Sequence, residues 1–135
     1  MNINISQAQG RVPVTILGIQ GDLDASNYTE LIAKTQELCN TGMRYLLLDM
    51  TNVPYMSSAG LVALHNIALL MRGDKLTDPE SGWSALHAVA GEEKRLQTYI
   101  KLLNPQPKVC RTLEISGMVE FFEIYTDLDS AVASF

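Results

Sequence analysis

Four consecutive small residues, Ser57-Ser58-Ala59-Gly60, stand between the apolar runs "YLLLDM" (Tyr45–Met50) and "LVALHNIALLM" (Leu61–Met71). Hydroxyls at such a junction could attack a substrate, hold an anion or accept a phosphoryl group. Attack fits worst. "SSAGL" is not the G-x-S-x-G of a hydrolase elbow, and no His/Asp pair is placed by sequence to activate either serine. His65 falls inside the second apolar run, where a core or half-buried imidazole is expected, and His87 is isolated. Two separated histidines without a Cys or Glu pattern do not suggest a metal site. Neither a Walker loop nor G-x-G-x-x-G is present. Asp22, Asp24 and Asp49 could form a carboxylate cluster, yet nucleophile, base and orienter cannot all be filled. The expectation is a non-enzymatic chain with no catalytic residue, no metal and no cofactor.

The local chemistry of the serines is richer. Serine is among the best N-caps, so one of the pair should open the helix, with Ala-Gly allowing close packing against the strand. The first turn of a helix carries unpaired N–H groups and about half a positive charge. A phosphate there would be accommodated without unfolding the domain. It would add roughly −1.5 to −2 charge to an end built of tiny side chains. A partner packed on that end would meet bulk and repulsion, and about 3 kcal/mol of lost binding changes affinity more than a hundredfold.

The elements that must position this junction follow from hydrophobic patterning. The 135 residues suit one domain spanning 1–135, and 47% hydrophobic with 19% charged residues is a globular profile. No apolar run approaches the roughly 18–20 residues that span a bilayer. The N-terminus lacks the basic-then-apolar order of a signal peptide. Both features point to the cytoplasm and away from a membrane. Net charge is −5, from 10 basic and 15 acidic side chains, so a nucleic-acid backbone would be repelled. Cys39 and Cys110 lack metal or redox spacing, and Cys39 on the apolar side of a helix reads as buried filler.

Residues 2–6 alternate weakly as an edge strand; Val12, Val14 and Ile16 alternate in the next, where Pro13 favours a place near the sheet edge. Apolar positions from Ala25 to Thr41 mark a helix stopped by Gly42. "YLLLDM" has no alternation, as expected of a central strand covered on both faces. A largely buried helix follows, ending at Gly73. "YIKLL" is the next strand, Val109–Ser116 a helix stopped by Gly117, "FFEIY" a strand, and "TDLDSAVASF" a helix with capping-box spacing between Thr126 and Asp129. The order β-β-α-β-α-β-α-β-α implies an α/β domain with a mixed sheet and parallel crossovers. The segment at about 73–98 is long for a connection inside a compact domain. Trp83 within it is either a contact anchor or part of a packed satellite over the sheet edge.

Three stretches together resemble the STAS family, the sulfate-transporter and anti-sigma-factor-antagonist domains: "GDLDASNYTEL", "LLLDMTNVPYMSSAGLVAL" and "LLNPQPKVCRTLEISGMVEFFEIYTDLDSAV". The resemblance covers nearly the whole chain and implies a β-sheet with helices mainly on one face. For a soluble single domain it further implies an anti-sigma-factor antagonist. Such a regulator binds an anti-sigma factor with serine-kinase activity, is phosphorylated by it, and is restored by a PP2C-like phosphatase. Ser58 takes the place of the phosphorylated serine in the D-S-[ST]-G-[LIV] motif, with Gly60 and Leu61 following. Ser57 stands where many members have Asp, which makes it a competing acceptor, and Ala59 stands where many have Ser or Thr. Asp24 and Asn27 match the family's loop beside the phosphoserine helix. The implied partner surface is Asp24, Asn27, Ser57, Ser58, Ala59, Gly60 and Leu61. An alternative is a small-ligand or nucleotide sensor, or a scaffold in a sensory assembly, using the same helix end without phosphorylation. Oligomeric state stays open.

Overall fold

A computed structural model describes residues 2–72 and 97–135. Most of the long connection, with Trp83 and His87, lies outside the described residues. Five strands form one sheet in the order β1 (Asn2–Gln9), β2 (Pro13–Gln20), β3 (Leu46–Asn52), β4 (Ile100–Leu103) and β5 (Ile124–Tyr125). β1 and β2 are an antiparallel hairpin; the remaining neighbours are parallel. Parallel neighbours require crossovers, and three helices serve those described: α1 (Tyr28–Asn40), α2 (Ser58–Arg72) and α3 (Pro107–Ser116). A short α4 (Leu128–Ala133) follows β5. The mixed α/β sheet is the one expected.

β3 shows why its sequence lacks alternation. Leu46, Leu48 and Met50 point into the main core with α1, α2 and α3, while Leu47 points the other way. There it joins Val14, Leu103, Ala131 and Val132 in a smaller cluster under α4. Among the described residues, three helices therefore share one face and α4 covers part of the other. α4 is tied down by Lys101 on β4, which is only 4% exposed. Its ammonium donates to the Ser134 carbonyl at 2.9 Å and hydroxyl at 3.0 Å, and pairs with Glu123 at 3.0 Å. The Phe135 ring centroid lies 4.8 Å away. A buried charge is tolerable only with partners of this kind.

Several boundaries differ from the sequence reading. β1 runs to Gln9, beyond the expected Ser6, because it pairs with β2 along its whole length. β2 lies next to the edge strand, in keeping with the expectation for Pro13, but begins at Pro13 itself, where a missing N–H costs little. α1 starts at Tyr28, not Ala25, since Asp24–Asn27 form a turn. Its end is as expected: Gly42 adopts φ 104° and Met43 N donates to Leu38 O at 3.1 Å. Of "FFEIY", only Ile124–Tyr125 is strand; Phe121 closes a 3-10 turn, and Phe121 and Phe122 fill the core. The cap of α4 is Asp127, which accepts from Ser130 N at 2.9 Å, and not the Thr126–Asp129 box. Cys39 is half-buried rather than buried, its sulfur 3.8 Å from that of Met71. Burial pushes its thiol pKa up, so it is a poor nucleophile.

Candidate partner-binding site

Parallel strands deliver their following loops to one rim of the sheet, where ligands of open α/β folds commonly sit. The loop after β2 and the loop after β3 are stitched together there. Leu23 N donates to Tyr55 O at 3.0 Å, Ser57 N donates to Leu23 O at 2.9 Å, and Leu23 bridges Met56 in parallel fashion. α3 closes the rim from the other side. Gln106 Nε2 donates to Thr51 O at 2.8 Å, and the Thr112 hydroxyl to Met56 O at 3.3 Å. The turn bearing Ser57 and Ser58 is thus held from both flanks.

The two serines have different jobs. Ser57 is the cap: its hydroxyl accepts from Ala59 N at 3.2 Å, and its carbonyl from Gly60 N at 2.9 Å and Leu61 N at 3.3 Å. It is half-buried. Ser58, the first helical residue, is exposed. Among the hydrogen bonds of the described residues, none uses its hydroxyl.

Asp24 and Asn27 are brought beside this turn, one residue and four residues beyond the bridged Leu23. Asn27 clamps its own loop: Oδ1 accepts from Asp24 N at 3.0 Å and Nδ2 donates to Asp22 O at 2.7 Å. Although it precedes α1, its side chain makes no cap bond. Asp24 accepts from the Ser26 hydroxyl and amide, which hold its carboxyl below the usual value, so it is charged at neutral pH. Asp49 is occupied elsewhere, accepting from Thr51 N at 3.1 Å. Among the described residues, no group of three or more His, Cys, Asp or Glu could hold a metal ion.

Gly60 and Leu61 need correcting as surface residues. Both are buried, and Leu61 lies in the main core. A Cβ on Gly60 would fall 2.3 Å from Met56 Cγ and 3.2 Å from Leu23 Cγ. Their place in the motif is explained by packing: they set α2 down against the two loops so that Ser58 projects. Tyr55, 47% exposed beside Leu23, went unremarked in the sequence. Its only signal is an aromatic after Pro54 that belongs to neither apolar run. His65 is 5% exposed, and its Nε2 has no hydrogen-bond partner among the described residues; burial, then Arg72, lower its pKa and keep it neutral.

The described residues form a mixed sheet screened by helices, with a small-residue helix tip raised at the strand ends. The STAS domain model matches residues 6–74, and the chain belongs to that family. It is similar to BtrV of Bordetella bronchiseptica, named as a candidate anti-sigma factor antagonist: 26% identity over 117 residues, covering 87% of this chain and 82% of that one. The fold is similar to that of an anti-sigma factor antagonist from Mycobacterium paratuberculosis, with a TM-score of 0.69, 17% identity and coverage of 98% and 92%. It is also similar to that of the Bacillus cell fate determinant SpoIIAA in its phosphorylated form, with a TM-score of 0.58, 14% identity and 96% of each chain covered. No helix among the described residues is long and apolar enough to cross a membrane.

Proposed function

We propose that this chain is a cytoplasmic, non-enzymatic anti-sigma-factor antagonist that binds an anti-sigma factor through the tip of α2. In this reading the anti-sigma factor is also a serine kinase, Ser58 is its phosphoacceptor, and a PP2C-like phosphatase reverses the modification. The reading rests on the division of labour between the serines: Ser57 spends its hydroxyl on the helix end, while Ser58 is exposed and uncommitted. The BtrV likeness and the existence of a phosphorylated SpoIIAA with this fold support it. Charge works in the same direction. Asp24 already places a carboxylate beside the turn, so a partner fitting this rim is basic there. A phosphate on Ser58 would be stabilised locally by the first-turn N–H groups while adding bulk at the contact.

The test uses a cognate kinase and ATP, with mass spectrometry of the wild type and Ser58→Ala. Loss of phosphate in the variant is expected; unchanged incorporation removes Ser58 from the mechanism. Ser58→Asp should weaken kinase binding, whereas Ser58→Ala should bind and resist switching. Equal affinities for the two would contradict the reading.

A further inference from the structure

The two edges of the sheet are unlike. β5 has two residues, too few to template another strand, whereas β1 offers eight and pairs, among the described residues, with β2 on one side only. An edge strand turns alternate N–H and C=O groups outward, and native sheets blunt such edges with lysine, proline, bulges or cover. β1 reads N-I-N-I-S-Q-A-Q: no charge and no proline in a chain whose residues are 19% charged. Its ladder with β2 runs from Asn2↔Gln20 to Gln9↔Pro13 without a register shift, and six of its eight residues are exposed.

We propose that β1 pairs antiparallel with β1 of a second copy of this chain, joining two five-stranded sheets across a two-fold axis. Charge selects this occupant. The chain carries a net charge of −5, so two copies repel over most of their surfaces, but not along this neutral strip. A basic or acidic partner would find nothing complementary there. The pattern is also self-complementary. Ile3, Ile5 and Gln7 lie opposite Ile19, Leu17 and Thr15, on the face that bears α1, α2 and α3; Asn4 and Ser6 lie on the other. A register centred on Ile5 keeps those helices of both copies on one side and sets Ile5, 41% exposed, against its twin. Asn4 then faces Ser6 of the second copy, and their side chains can hydrogen-bond. Strand pairing of this length falls at the small end of stable interfaces, below about 1,200 Å², so the dimer is weak and concentration-dependent. The pairing goes beyond the proposed function and does not use Ser58, so either idea can fail alone.

Sedimentation over a range of concentrations tests it. The wild type should approach twice the monomer mass as concentration rises, and Ile5→Lys, which opposes two ammonium groups, should stay monomeric. A wild type that remains monomeric throughout, or a folded Ile5→Lys variant that still doubles its mass, overturns the proposal. Ile5→Cys gives a milder probe, since directly opposed residues approach closely enough for a disulfide. Mild oxidation should link two chains through position 5, whereas Asn2→Cys, placed opposite Ala8 of the second copy, should not link to itself. Equal linking of both variants would reject the register and the pairing with it.

Discussion

The rim of the α2 turn and the floor beneath it contain neighbouring residues with opposite duties. Ser58 and Tyr55 project from the rim, whereas Gly60, Leu61, Met56 and Leu23 form a floor shut off from solvent. A single motif, S-S-A-G-L, spans both. The spacing signal therefore mixes residues that can meet a partner with residues that only hold the others in place. Substitutions should separate the two sets, with stability and switching responding in opposite orders.

Leu61→Ala should show the largest stability loss, about 2–5 kcal/mol for a buried leucine replaced in a packed core, read as a shifted denaturation midpoint. Gly60→Ala comes next: its added methyl meets Met56, itself fully buried, and overpacking of this kind costs about 1–3 kcal/mol. A Gly60→Ala protein as stable as wild type would show that the floor yields and that the contrast is overstated. Ser57→Ala removes a helix cap, with an expected loss of about 1 kcal/mol and continued phosphorylation by the kinase. Ser58→Ala should change stability by no more than about 0.5 kcal/mol while abolishing phosphate incorporation. The smallest effect concerns Asp24. Its pKa in the folded chain is lowered, so its contribution is present above the ordinary carboxylate value and lost as pH falls through the folded value. The Ser26 amide resonance should report that loss in an NMR titration, and a titration at the ordinary carboxylate value would remove the bond from the account.

Much of the architecture was legible in the sequence because local patterns carried it. The unbroken run Leu46–Leu48, the glycine after α1 and the small residues that open α2 each encode their own environment. What was missed depends on residues distant in sequence. Phe121 and Phe122 read as strand by β-propensity, but the core opposite α3 claims their rings and shortens β5. Asp127 displaced the expected Thr126 cap because both types suit an N-cap and only backbone geometry chooses between them. At the site, Asp24, Asn27 and the two serines could be named from the motif. Local backbone geometry, which residue type does not specify, decides that Asn27 grips its own loop and which serine caps the helix. The approach of Gly60 to Leu23 instead follows the Leu23–Met56 bridge, which joins segments more than thirty residues apart and leaves no local mark.

Lys101 has a consequence for the order in which the molecule comes apart. Peeling α4 away would take both Ser134 hydrogen bonds from a buried ammonium and leave it with Glu123, so the six-residue helix should not fray on its own. Its departure and the exposure of β4 should instead be coupled, which ties the back of the sheet to this one side chain.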